Sequence, residues 1–497
     1  MDNGVYGGAV DFESLILGAG PAGLQLGHHL SQAGRSYLIL EGGDGPGTFF
    51  KRFPRHRTLI SSDPETHLPW DESSLLTDDG KLQFKDYSRK CFPPADRLVE
   101  YLADYAECYA LNLRCNTRVE RIEALEVGKS GYRLLDQQGN AFTCLHLIVA
   151  AGVTKPYVPA IPGVGLTENY VDVSVDPNDF IDQKVLIIGK GTSAFETAGN
   201  LIETAAVLHV CSPNPAQLAW KTQFAGLLDT CRLKSRNAVL DASIESIRRD
   251  RSGKLVAALR HTHAGGEVEE IAYDRIILCT GFRYDNTIFA EDCRPELTLD
   301  DRMPDLTCEW ESVNVPGVYF AGTLTQSRDA KKGTSAFIHG FRYNVRALHR
   351  MLETKYHGEP LPSRAVQATA EGLVKATLER VNRTSTLWQQ LGFLHDAIFL
   401  ENEGKSARYC EELPLAYIHE TSLSASSHYY TVALELGKAA ESVFLHPVIR
   451  RWNGPLLVTE HHLLEDPDGE WRKTDAHLVP LRDFFAAQLR QPVSVRA

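Results

Sequence analysis

Apolar positions along this chain fall in short unbroken runs rather than in strict alternation. Leu15-Ile16-Leu17, Tyr37-Leu38-Ile39-Leu40, Leu147-Ile148-Val149, Val185-Leu186-Ile187-Ile188, Ile276-Ile277-Leu278 and Val318-Tyr319-Phe320 are the clearest. A continuous apolar run bounded by turn residues reads as a strand buried on both faces, the habit of parallel sheets covered by helices. After two of these runs a Gly-rich turn gives way to the spacing of an amphipathic helix, over residues 24–33 and 195–203. Strand, turn and helix from residue 14 recur from residue 184. The pattern predicts an α/β protein with two Rossmann-like units. Between them lie a polar, aromatic-rich stretch (43–92) and a helix over 96–110. Later come a helix near 335–352, a charged linker around 356–364 and a helix over 365–381. Strands over 429–436 and 455–460 and a helical tail complete the chain. None of the apolar runs approaches the ~20 residues needed to span a bilayer.

The turns carry the candidate chemistry. Leu17 runs into Gly18-Ala19-Gly20-Pro21-Ala22-Gly23. In such a turn Gly18 makes the bend, Gly20 lets a pyrophosphate approach the backbone, and Gly23 lets the helix lie close on the strand. The helix start then offers free N–H groups and the positive end of its dipole. The next strand ends in Glu41, eighteen residues beyond Gly23, where a carboxylate can accept both ribose hydroxyls. Gly18, Gly20, Pro21, Ala22, Gly23 and Glu41 are therefore expected to hold FAD, with Val119 as a further contact.

The second turn is Gly189-Lys190-Gly191-Thr192-Ser193-Ala194, with Ala in the third small position. Gly189, Gly191, Thr192, Ser193 and Ala194 are expected to hold a nicotinamide nucleotide. The following strand ends in Ser212-Pro213-Asn214, with no acid to select NADH and no Arg to clamp a 2′-phosphate. Lys190 and Lys221 could supply positive charge or be solvated surface lysines; the choice leans to NADPH and leaves NADH open. Two sites in one chain suggest a resident cofactor and a delivered reductant. Residues 147–152 and 276–281, apolar strands ending in small-small-Gly turns, bracket the second turn. They divide the chain into an FAD-binding unit (1–165 and 275–355), an inserted NAD(P) unit (166–274) and a C-terminal α+β extension (356–497). Val318-Tyr319-Phe320-Ala321-Gly322-Thr323 closes the FAD site, Gly322 included, ahead of a helix whose N-terminus would stabilise charge on a reduced flavin.

Composition narrows the rest. Net charge is −12 and no Lys/Arg run is present, which excludes nucleic acid as a partner. Residues 1–13 have neither a basic nor an apolar leader region, so no secretory signal or membrane partner is expected. Ten cysteines without a Cys-x-x-Cys pair read as reduced thiols of a cytoplasmic protein. That also argues against a disulfide reductase, which needs a dithiol beside its flavin.

With these residues in view, the chain resembles the flavin-containing monooxygenase superfamily and, within it, the FAD-dependent oxidoreductase domain-containing group, one member of which is associated with quality control in the endoplasmic reticulum. The resemblance extends through Pro54-Arg55-His56-Arg57-Thr58-Leu59-Ile60-Ser61, Tyr87-Ser88-Arg89, Tyr170-Val171-Asp172-Val173 and Gly226-Leu227-Leu228-Asp229-Thr230. It continues late in the chain with Phe444-Leu445-His446-Pro447-Val448. It implies that NAD(P)H reduces FAD, that O₂ then gives a C4a-(hydro)peroxyflavin, and that one oxygen passes to nitrogen or sulfur of a small molecule. Ser61, Ser62 and Arg52, with Arg57 and His67, are the polar candidates near the ring. There are departures. The Phe-x-Gly-x-x-x-His fingerprint is absent, residues 168–176 standing in its place. The Gly-Gly-x-Trp is degenerate at Gly45-Pro46-Gly47-Thr48-Phe49, and Ser62 replaces an Asn. The C-terminus has no retention sequence, so the quality-control role is not carried over. An NAD(P)H oxidase that releases peroxide, and a flavin-stabilised interaction protein, stay open as alternatives.

Overall fold

The computed structural model describes residues 10–59, 74–90, 92–125, 131–215, 236–263, 265–329, 334–425, 428–437 and 445–490. Ser61, Ser62, His67 and Lys221 lie outside these residues.

The run at Leu15–Leu17 becomes the central strand Phe12–Leu17, buried from Ser14 onward. It has parallel neighbours on both sides, Tyr37–Leu40 and Ala141–Val149, and so has no free edge. Leu113–Arg114 extends the parallel part beyond Tyr37–Leu40. The far side of Ala141–Val149 is shared: its first half pairs antiparallel with Tyr132–Asp136 and its last residues pair parallel with Val318–Phe320. The late strand thereby returns to the sheet at the level of the first turn.

The second sheet repeats the plan. Lys184–Ile188 is central, with Val207–Ser212 and Arg275–Leu278 parallel on either side. Ala238–Arg249 joins Val207–Ser212 in parallel and continues into an antiparallel ribbon with Leu255–His261 and Val268–Tyr273. The two connections between the sheets meet as a short pair, Lys155–Pro156 against Phe282–Arg283.

A third, wholly antiparallel sheet has the order Ser363–Gln367, Ser406–Pro414, Leu394–Glu401, Tyr429–Leu436, Leu445–Asn453, Leu456–His462. One face packs on the helices Ala370–Val381 and Val479–Leu489 through Ile398, Tyr430, Leu373 and Phe485. The other face, with Phe399, Cys410, Tyr429 and Trp452, merges into the core of the first sheet. The architecture is α/β, two Rossmann-like units with a C-terminal α+β extension.

Two local expectations are corrected. Residues 365–381 are not one helix: Ser363–Gln367 is an edge strand on Ser406–Pro414, and the helix starts at Ala370 with Thr369 Oγ1 accepting from Gly372 N at 3.1 Å. An open sheet edge supplied hydrogen-bond partners that outweighed local helix propensity. Nor is the charged stretch from 356 a loose linker at its start. Tyr356 stacks on His146 and shares a 2.6 Å hydrogen bond with Tyr319.

Candidate functional site

At the first turn, Gly18 has φ +107°, and a side chain there would lie 2.9 Å from the Ala150 carbonyl oxygen. A Cβ on Gly23 would lie 2.0 Å from the Gly18 carbonyl oxygen, so only glycine lets the helix Pro21–Gln32 sit so close. Gly20 differs: nothing lies within 4 Å of its missing Cβ. The space beside the first helical turn is open, and Pro21 begins that helix where its missing N–H costs nothing. An open backbone cradle at the N-terminus of a twelve-residue helix fits a pyrophosphate.

Glu41, buried, folds back on the turn. Its Oε2 accepts from Ala19 N at 2.8 Å and its Oε1 from Gly43 N at 2.8 Å. Both carboxylate oxygens keep a free lone pair for ribose hydroxyls. The segment leading to Val119 runs alongside: Thr117 N donates to the Glu41 carbonyl oxygen at 2.8 Å. At the other end, a Cβ on Gly322 would lie 2.8 Å from that of Ala22, which places the closing segment directly on the first helix. Thr323 Oγ1 donates to the Ala336 carbonyl oxygen, just ahead of the helix Ile338–Leu352. The two helices are tied by Gln25, whose amide donates to the Arg342 carbonyl oxygen at 2.6 Å. Gly18, Gly20, Pro21, Ala22, Gly23, Glu41 and Gly322 thus converge.

The second turn is built the same way. Gly189 N donates to the Cys211 carbonyl oxygen at 2.8 Å, as Gly18 N does to Leu40. Gly189 has φ +125° and abuts the Cys279 carbonyl oxygen, 2.2 Å from a Cβ placed there. Gly191 has nothing within 4 Å, Thr192 and Ser193 begin the helix Thr192–Leu201, and Ala194 is fully buried against the strand. Lys190 is not a solvated surface lysine. Its side chain is 5% exposed and binds Asp241, and its Nζ donates to the carbonyl oxygens of Ser212 (3.1 Å) and Asn214 (2.8 Å). Asp241 also contacts His263 at 2.7 Å, and these two partners, Lys190 foremost, hold its carboxyl below the usual range. On the neighbouring strand, Asp241 is the register partner of Ser212.

Arg52 and its neighbours bridge the two units. Arg52 is more than half exposed and donates to the Val171 carbonyl oxygen at 3.1 Å. Arg57 pairs with Asp96 on the helix Ala95–Cys108. The residue that sequence reasoning overlooked is Arg55: its guanidinium binds the carbonyl oxygens of Tyr170, Val171 and Val173. Its N–H donates to Tyr170 Oη, which donates in turn to Glu196 on the second turn's helix at 3.1 Å. Burial pushes the Glu196 carboxyl up to about 7. The run Pro54–Ser61 held the signal for Arg55; nothing in the sequence marks Glu196 as partly buried.

Two glycine cradles of one design, each at a strand-to-helix turn and each in its own parallel sheet, define a flavin-dependent oxidoreductase with a second nucleotide site. The chain belongs to the family described as pyridine nucleotide-disulphide oxidoreductase, matched over residues 15–322. It is 33% identical over 553 residues to FAD-dependent oxidoreductase domain-containing protein 2 of Mus musculus, covering 95% of this chain and 83% of that protein. The Danio rerio protein of the same name is 34% identical over 571 residues, covering 95% and 82%. Matches that reach 95% of the chain take in the third sheet, which is therefore part of the shared architecture. A flavin-containing monooxygenase from Stenotrophomonas maltophilia has the same fold (TM-score 0.55, 21% identity, 69% of this chain and 98% of that one). No described helix is long and apolar enough to cross a membrane.

Proposed function

We propose that this protein is an FAD-dependent, NAD(P)H-using monooxygenase that places one oxygen atom of O₂ on a nitrogen or sulfur of a small substrate and releases the other as water. The observation that carries this reading is the pair of open cradles at Gly20 and Gly191, combined with eight described cysteines that are all free thiols. A disulphide-reducing member of the family would pass electrons to a dithiol; the sequence holds no Cys-x-x-Cys and none of the described cysteines is paired, which leaves the electrons available to O₂. FAD, when bound, accepts hydride from the nicotinamide and delivers the electrons onward.

The chain's own residues hold and orient. Gly18, Gly20, Pro21, Ala22 and Gly23 seat the FAD pyrophosphate, Glu41 takes the ribose, Val119 lies at the adenosine end and Gly322 at the flavin end. Gly189, Gly191, Thr192, Ser193 and Ala194 seat the nicotinamide nucleotide. Arg52 and Arg55 fix their loop to the second unit; Ser61 and Ser62, outside the described residues, are the further polar candidates. The third sheet, fused to the first core, keeps water from that end. Free thiols accord with a reducing, cytoplasmic setting.

A second reading, an oxidase that returns peroxide, is favoured by one observation. The stretch in place of the family's His fingerprint is engaged structurally, with the carbonyls of Tyr170, Val171 and Val173 all taken by Arg55. The test is stoichiometric. Purified yellow protein is turned over with NADPH or NADH and O₂, with and without an amine or thioether, while peroxide and oxygenated product are counted. Product formed at the expense of peroxide supports the monooxygenase. One peroxide per nucleotide, whatever nucleophile is offered, establishes the oxidase.

A further inference from the structure

The two turns superpose in their hydrogen bonding, so their differences can be compared position by position. Gly18 N and Gly189 N donate to Leu40 and Cys211, which sets Glu41 opposite Ser212 and Ala19 opposite Lys190. In the first unit the strand-end acid accepts from the turn backbone at Ala19. In the second the strand-end position is Ser212, and its register partner on the adjoining strand is Asp241. Asp241 lies where a dinucleotide on this turn would place its adenosine ribose.

Lys190 faces the same point. An ammonium has three protons, and Lys190 directs its own to Asp241, Ser212 and Asn214. The second oxygen of Asp241 meets His263 Nε2 at 2.7 Å. A ribose 2′-hydroxyl can donate to a remaining lone pair of Asp241 without breaking any of these bonds. A 2′-phosphate, by contrast, reaches the nearly buried Lys190 only by displacing a carboxylate of its own sign, and it meets that same carboxylate beside His263.

We propose that Asp241 sets the balance between NADH and NADPH at the second turn: it accepts the ribose 2′-hydroxyl, and it occupies the Lys190–His263 pair that would otherwise clamp a 2′-phosphate. This rests on the reading of Gly189–Ala194 as the nicotinamide-nucleotide seat. Sequence reasoning sought the selecting residue at the end of Val207–Ser212; the register moves it one strand over.

The test measures binding of 2′,5′-ADP and 5′-AMP to the FAD-loaded protein by calorimetry, for wild type, Asp241→Asn, Asp241→Ser, Lys190→Met and Gly191→Asp. Both Asp241 variants should raise affinity for 2′,5′-ADP relative to 5′-AMP by about tenfold, because a like charge is removed from beside the phosphate. Lys190→Met combined with Asp241→Asn should cancel that gain. The ratio of kcat/KM for NADPH and NADH should move the same way. Flavin absorbance and Tm verify that each variant is folded, and two different replacements at 241 guard against loss of one. An unchanged probe ratio in both Asp241 variants, with Gly191→Asp still abolishing binding, overturns the proposal alone. Probes that still bind to Gly191→Asp overturn the placement of the site itself.

Discussion

Glu41 is the residue proposed to take the FAD ribose. Its carboxylate is oriented by the N–H groups of Ala19 and Gly43 before any ribose arrives, so no ordering is needed on binding. Glu41→Ala removes a charge-assisted acceptor contributing roughly 1.5–3 kcal/mol and leaves two N–H groups without a partner. The variant should lose FAD on gel filtration under conditions in which wild type stays yellow; equal retention would show that the ribose lies elsewhere. Glu196 yields a pH signature. Burial raises its folded pKa to about 7 from an ordinary 4.5, the hydrogen bond from Tyr170 opposing the shift. The folded state then binds more protons than the unfolded chain between these values, and stability falls as pH rises across that window. Glu196→Gln should match wild type near pH 4 and become the relatively more stable protein toward pH 8. Thermal unfolding of both across this range checks it; parallel curves would mean that the carboxyl is solvated. The placement of the turn glycines and of Glu41 was legible from the sequence because their spacing is itself the geometry. Arg55, Glu196 and Asp241 were not, since each acts on a partner beyond the reach of any local pattern: Val171, Tyr170 and Lys190 lie 116, 26 and 51 positions away, respectively.

At the scale of elements, the helix Ile338–Leu352 is clamped to the third sheet by a buried ionic cluster. Arg346 and Arg350 on that helix, and Arg380 on Ala370–Val381, all bind Glu412 on the strand Ser406–Pro414, with Thr386 Oγ1 donating at 2.7 Å. Arg380 also binds Asp396 at 2.7 Å. The arginines hold the Glu412 carboxyl far below its ordinary range despite burial. Removing it leaves three partly buried guanidinium groups without their shared carboxylate, and Glu412→Ala should cost about 3–5 kcal/mol. Because the folded value is depressed, wild type keeps this contribution in full above the ordinary Glu range and loses it progressively as pH falls from there through the depressed value. Urea denaturation should therefore show a gap between wild type and variant that is constant above pH 5 and narrows below. A gap under about 1 kcal/mol would place the cluster in the class of exposed pairs. The strands of this sheet at Leu394–Glu401 and Ser406–Pro414 were not foreseen, and the start of Ala370–Val381 was set five residues early. Their apolar and polar positions suit either period until the sheet edge is known.

For the whole molecule, the decisive feature is the core that the first unit shares with one face of the third sheet. Leu15, Ile148, Phe320 and Leu348 from the first unit share it with Phe399, Tyr429 and Trp452 from the third sheet. The C-terminal region is thus not a detachable module. A chain ending after residue 357 should fail to give a folded yellow protein, emerging aggregated or binding a hydrophobic dye. Soluble truncated protein with bound FAD and a sharp unfolding transition would show the cores to be independent. The amino-acid sequence by itself determined the two strand–turn–helix units, the cradle glycines, Glu41 and the α/β class. These follow from short-range rules: a buried strand must be apolar, a tight turn with positive φ needs glycine, and a helix N-terminus follows within a few residues. Only the tertiary structure decided that Lys190 is held by Asp241, that Arg55 joins the two units, and that the third sheet completes the first core. Those outcomes depend on register between strands and on burial, and both are set by long-range packing that no local spacing encodes.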